Sequence, residues 1–172
     1  TSDRLSRVRD VFVFCCYTGY SYSDVAKLAP ENVLPDEQGN LWIRSSRIKT
    51  KIQEDVPLLP QAKQLIDKYK SDPECLYRNR LLPVLSNQKY NAYLKEIAVL
   101  CNISINLTTH VARHTYATTA MSFGVPLPTI AKTMGHTNMK MTQHYARVLP
   151  EKIINDISAL NNATQQIQTL YQ

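Results

Sequence analysis

A chain of 172 residues is the length of one domain, and packing alone can bury about 70% of the surface that an unfolded chain of this size exposes. A content of 44% hydrophobic and 20% charged residues with four glycines is that of a mixed globular protein and excludes collagen-like, coiled-coil and wholly disordered chains. Twenty Lys and Arg against fourteen Asp and Glu leave +6, which favours a polyanionic partner such as nucleic acid without identifying one.

Cys15, Cys16, Cys75 and Cys101 lack CxxC spacing and read as free thiols of a reducing compartment. The longest uncharged apolar run, residues 11–17, is too short to span a bilayer, and no basic segment precedes a signal-like core. The expectation is a cytoplasmic protein with no membrane contact. A chain starting at Thr1 is also expected to lack a neighbouring domain.

In chain order, residues 6–17 suit a buried helix: the β-branched and aromatic content would fit a strand, but length and the Ser6 entry favour helix. Thr18-Gly19 breaks it, and residues 21–28 follow as a short helix stopped by Pro30. Residues 41–44 and 55–59 pair as an antiparallel hairpin whose connection carries Arg44, Arg47, Lys49 and Lys51, with Pro57 on an edge or at a bulge. A helix is expected over 61–70, and a loop over 71–86 between Pro73 and Pro83. Tyr90, Leu94, Ile97 and Ala98 recur at helical intervals within 87–100. Thr108 or Thr109 caps the next helix, which runs to Ser122 and ends at Gly124. Two short helices over 126–134 and 138–145 flank Gly135, a last helix spans 151–160, and 161–172 is a polar tail. The fold class is mainly α with a small antiparallel β-sheet.

Candidate chemistry concentrates between residues 110 and 145, where His110, Arg113, His114, His136, Thr142, His144 and Tyr145 fall. His110 and Arg113 stand i,i+3 on one helix, so an imidazole and a guanidinium can address one anion; surface helices also carry such pairs with no function. Zinc at His110, His114, His136 and His144 would lack any Cys or carboxylate at ligand spacing, and no phosphate-binding glycine loop or HExxH pair occurs. Neither a metal nor a cofactor is expected. Cutting and rejoining a phosphodiester needs donors on its non-bridging oxygens, a nucleophile, and a proton source for the leaving oxygen. Arg113 can clamp, His110 and His136 can donate or shuttle protons, Tyr145 can attack, and Lys49 can reach in as an acid. Trp42, Tyr90, Tyr93 and Tyr116 belong first to packing. Lys51, Lys132 and Lys140 are solvated charges that become backbone contacts only if the partner is DNA.

Residues 108–146 hold His110-Val-Ala-Arg113-His114, Ala117-Thr118, Gly135-His136, and Tyr145 nine residues on. This order closely resembles the C-terminal signature of the tyrosine recombinases, the phage-integrase family of DNA-breaking and rejoining enzymes. With Thr18-Gly19 and Lys49-Thr50 the resemblance covers about residues 5–148. It implies the recombinase catalytic-domain fold over 1–160 and an N-terminal DNA-binding domain outside this chain. It also implies site-specific recombination or integration at double-stranded DNA sites. Tyr145 would form a 3′-phosphotyrosyl intermediate, Lys49 would protonate the departing 5′-hydroxyl, and His110, Arg113 and His136 would hold the phosphate. His114 is either a direct phosphate contact or a structural hydrogen-bonder. The resemblance further implies a four-subunit synapse in which helix 151–160 docks on a neighbouring protomer, accessory DNA-bending proteins, and a bacterial cytoplasmic, nucleoid-associated location.

One position departs from the pattern. Where the family carries another Arg after the Thr-Gly turn, this chain has Ser21, as the integrases of Bacteroides-type mobile elements, which it resembles, often do. Ser offers a hydrogen bond but no charge, so another residue must contribute, with Arg9 first and then Arg44 or Arg47. The alternative is a catalytically impaired DNA-binding relative.

Overall fold

The computed structural model describes residues 3–145 together with Ile154, Ile157, Ser158 and Asn161. Helix α1, Asp3–Thr18, buries Leu5, Val8, Val11, Phe14, Cys15 and Thr18, a stripe at three- and four-residue steps. That stripe overrides the strand-like composition. Full burial of Val11 and Phe14 supplies about 1.5–3 kcal/mol each. The helix starts three residues earlier than expected, where Asp3 pairs with Arg7 one turn on. It stops at Gly19, whose φ of +76° suits glycine and whose missing side chain makes room for the Tyr116 ring.

Only Tyr22–Val25 of the expected helix 21–28 is helical, as α2, with Ser21 as its N-cap. A 3-10 turn at Pro30–Asn32 leads into three antiparallel strands: β1 Val33–Pro35, β2 Leu41–Ser46 and β3 Gln53–Pro57, in the order β1-β2-β3. Ile43 faces Val56 across β2 and β3, and both are buried. Pro57 therefore sits on an edge strand, as expected.

Helix α3 is Pro60–Tyr69. The stretch 71–86, expected as a loop, contains α4, Pro73–Arg78. Asp72 accepts from the backbone N–H groups of Glu74 and Cys75, and Pro73 at the first helical position gives up no hydrogen bond there. Helices α5, Asn87–Leu100, and α6, Thr109–Ser122, match the expected spans; α7, Leu127–Thr133, and α8, Met139–Gln143, are shorter than the periodicity suggests. The helix expected over 151–160 and the tail lie mostly outside the described residues, although Ile154, Ile157, Ser158 and Asn161 are helical.

The main core joins α1, α3, α5 and α6 to the sheet. A second cluster forms where α6 meets α7, from Ala117, Ile130 and Met134, with Tyr116 and Tyr145 packed against it. All four cysteines are free thiols; Cys15 and Cys75 are buried, Cys16 is half-buried and Cys101 is exposed. No helix among the described residues is long and apolar enough to cross a membrane.

Candidate active site

Arg113 lies on the α6 face that meets α1 and is 4% exposed. Its Nη1 donates to the Gly19 carbonyl and, at 3.0 Å, to Oε1 of Glu54, and its Nη2 donates to the Met134 carbonyl. One guanidinium thus ties together the turn after α1, strand β3 and the end of α7. The planar fork of Arg fits three such fixed acceptors; a Lys ammonium would not.

Glu54 is fully buried, its backbone carbonyl accepting from the Tyr20 hydroxyl at 3.0 Å. Burial outweighs the Arg113 guanidinium and pushes its carboxyl up to about 7.

The β2–β3 connection enters from the other side. Asp24 Oδ1 accepts from the Ile48 backbone N–H at 2.8 Å, which anchors the connection to α2. Arg47 Nε lies 3.6 Å from Asp24 Oδ2, and its side chain is only 11% exposed. The Arg47 stem runs over Gly135, the residue before His136. Ser21 donates to Asp24 Oδ2 at 2.6 Å, so its hydroxyl is engaged within α2.

His136 is half-buried, with Nδ1 2.7 Å from the Thr142 hydroxyl. Desolvation, then the nearby charges of Arg113 and Arg47, lower its pKa to about 4, so the ring is neutral near pH 7. Tyr145 follows α8 and stacks with His136 at a 6.3 Å centroid distance and a 10° interplanar angle. The His114 ring lies 5.0 Å from Tyr145, tilted by 46°. The structure therefore brings together Arg113, His136 and Tyr145, with Arg47 joining them.

Lys49 and His110 are exposed, and neither side chain makes a hydrogen bond or ion pair among the described residues. Lys49 is carried on the anchored connection one residue beyond Ile48, and His110 lies one turn before Arg113 on α6. Arg9 is occupied elsewhere: it donates through Nε and Nη2 to Asp10 Oδ1 at 2.8 and 2.7 Å, in a cluster with Lys68 and Tyr69 of α3. Arg44 is exposed on β2. Among the described residues no group of three or more His, Cys, Asp or Glu side chains is gathered as a metal ion would require.

Sequence reasoning passed over Asp24 and Glu54, the two buried carboxylates that hold the basic groups in place. Asp24 carries a readable signal, since Ser21 and Asp24 stand at capping distance. Glu54 sits in the run Gln53-Glu54-Asp55, where nothing distinguishes the inward residue from its neighbours.

The model of the phage integrase family matches residues 3–152. The integrase of Escherichia phage P2 is 25% identical over 150 residues, covering 87% of this chain but 40% of the relative, so this chain spans less than half of that protein. Among solved structures, XerA recombinase superposes with a TM-score of 0.71 at 17% identity, over 92% of this chain and 63% of that one. XerH site-specific recombinase, bound to palindromic difH substrate in a post-cleavage complex, also gives 0.71, at 16% identity over 94% of this chain and 48% of that one. These likenesses place the fold among recombinase catalytic domains.

Proposed function

Because the chain belongs to the phage integrase family, we propose that it carries out site-specific recombination, cutting and rejoining double-stranded DNA at recombination sites. The observation that carries this reading is the convergence of Arg113, Arg47 and a neutral His136 beside Tyr145. Tyr145 Oη attacks phosphorus as its hydroxyl proton passes to the neutral imidazole of His136; the P–Oη bond forms, the P–O5′ bond breaks, and a 3′-phosphotyrosyl ester remains. Lys49, at the tip of the anchored connection, delivers the proton to the departing 5′-oxygen. A 5′-hydroxyl of another strand reverses the step and reseals the backbone without a nucleotide cofactor. Arg113 and His110 from α6, with His136 donating once protonated, stabilise the charge that develops on the non-bridging oxygens.

Arg47 is the second guanidinium that Ser21 cannot supply. Its burial, its approach to Asp24 and its seat on Gly135 support it over Arg9, which is engaged with Asp10 on the side of α1 facing α3. A site with two guanidiniums also speaks against the impaired, binding-only relative. The assembled enzyme acts as a four-subunit synapse on DNA in which the segment 151–160 docks on a neighbour, with DNA-bending proteins assisting, in the bacterial cytoplasm.

Incubating the protein with recombination-site DNA nicked beside the cleavage position, followed by denaturing electrophoresis, should trap a covalent complex that Tyr145→Phe abolishes while leaving DNA binding nearly intact. Peptide mapping of the adduct to Tyr116 or Tyr171 would overturn the assignment.

A further inference from the structure

Strand β3 alternates its side chains, and Glu54 falls on the inward face with Val56, opposite Ser45 and next to the buried pair Ile43 and Val56. A buried carboxylate is costly unless partners satisfy it. Oε1 has its partner in Arg113, but Oε2 has none. Among the described residues only one other buried side-chain polar atom is unpartnered, and it is the Nε of Arg47. The two belong to the same place: a Cβ built on Gly135 would meet Arg47 Cδ at 2.8 Å and Glu54 Cβ at 3.5 Å. Two side chains that each carry a buried polar atom without a hydrogen bond, Glu54 and Arg47, therefore flank one glycine immediately before His136, with Arg47 Nε held only by a 3.6 Å ion pair to Asp24 Oδ2.

We propose that Glu54 is a positioning residue for the phosphate site, holding Arg113 through Oε1 and, together with Asp24, drawing Arg47 inward through its charge, so that two mutually repelling guanidiniums are kept at one site. This rests on the reading of Arg113 and Arg47 as phosphate-binding groups. Without the Glu54 carboxylate the two like charges are less compensated, and Arg47, left with Asp24 at 3.6 Å as its one ion-pair partner among the described residues, is held less firmly toward Gly135. With it, the pair is electrostatically satisfied before DNA arrives, and little reorganisation is left for the reaction step.

Ionisation of Glu54 then controls the geometry. The charged or titratable groups around it are Arg113 and Tyr116 from α6, Arg47 from the β2–β3 connection, Asp24 from α2, Tyr20 ahead of α2, and Cys15 from α1. Of these, the arginines favour the carboxylate, while burial and Asp24 oppose it.

The test measures single-turnover formation of the Tyr145 adduct on nicked duplex DNA from pH 5.5 to 8.5, for the unsubstituted protein, Glu54→Gln and Glu54→Asp, with DNA affinity and melting temperature alongside. The rate should rise through a limb near pH 7 in the unsubstituted protein. Glu54→Gln should lose that limb and cleave about tenfold more slowly or worse, with DNA affinity changed less than about threefold. Glu54→Asp, which keeps the charge, should recover part of the rate. Glu54→Gln has the shape and charge that the native side chain itself takes below its pKa, so the unsubstituted protein's own pH profile repeats the test without any substitution. A flat profile between pH 6 and 8, a Glu54→Gln rate equal to or above the native one, or a loss that follows DNA affinity or melting temperature would overturn the positioning role. Absence of any Tyr145 adduct in the unsubstituted protein would instead overturn the recombinase reading beneath it.

Discussion

The side-chain stem of Arg47 lies directly on Gly135: a Cβ added to that glycine would stand 2.8 Å from Arg47 Cδ and 3.0 Å from Cγ. The glycine also holds a φ of +56°, a conformation that residues with a side chain adopt at a cost. The Gly-His pair of the recombinase signature therefore has a steric meaning here. Its glycine is the floor on which a basic residue from the β2–β3 connection rests, next to the imidazole of His136.

Gly135→Ala should displace Arg47 and strain the backbone together. The expected result is a loss of about 1–2 kcal/mol in stability and about tenfold or more in cleavage rate. Arg47→Ala should lose cleavage to a similar extent with DNA binding reduced far less. Arg9→Ala should leave cleavage within about twofold and lower the melting temperature, since it removes a partner of buried Asp10. Trapped-complex assays with thermal unfolding check all three, and the reverse ranking of Arg9 and Arg47 would return the second guanidinium to α1.

Arg113 has a structural task as well as a chemical one. Arg113→Ala strands the buried Glu54 carboxyl and two backbone carbonyls, so a loss of about 3–5 kcal/mol in stability is expected. Arg113→Lys keeps the charge and loses the fork; cleavage should fall at least about tenfold. Because stability falls too, the rate must be measured well below each variant's melting temperature. An unchanged rate in Arg113→Lys would remove Arg113 from the phosphate.

Some of this was readable in advance and some was not. Helices α5 and α6 stand where their periodicity and breakers place them, because Tyr90, Leu94 and Ala98 face the core and Gly124 follows α6. Helix α4 was hidden because Pro73 reads as a breaker, whereas Asp72-Pro73 is an N-cap followed by a proline at the first helical position. Strand β1 has three residues, one of them Pro35, and exists only through pairing with β2. The motif residues were legible because their spacing carries chemistry. Arg9, Arg44 and Arg47 are chemically identical in a sequence, and only tertiary packing shows which of them reaches Gly135.

His136 makes a pH statement of definite sign. Its folded-state pKa of about 4 lies below the ordinary value of 6.5, so between those limits the unfolded chain binds more protons than the native one. Its contribution to stability is fully present above pH 6.5 and is lost as the pH falls toward 4. Glu54, raised to about 7 from 4.5, acts in the opposite sense: its contribution is present below 4.5 and is lost as the pH rises through 7. Across the shared window from about pH 4 to 7, the melting-temperature differences of His136→Gln and Glu54→Gln against the unsubstituted protein should therefore change with pH in opposite senses. A His136→Gln difference independent of pH between 4 and 6.5 would show that the imidazole is not held neutral.

Lys49 stands on a connection whose backbone is fixed to Asp24 at Ile48, and it has no ion-pair partner among the described residues, so its ammonium is free to meet the leaving oxygen. Lys49→Ala should slow cleavage of ordinary DNA by about a hundredfold or more, within the roughly 10²–10⁴-fold that general acid catalysis contributes. DNA in which sulfur replaces the bridging 5′-oxygen needs no acid, because a thiolate leaves unprotonated. On that substrate Lys49→Ala should approach the unsubstituted rate, while Arg113→Lys and Arg47→Ala should stay slow because their task is on the non-bridging oxygens. If sulfur rescues all three variants alike, it has only made the bond easier to break, and the proton would have to come from His110 or His136.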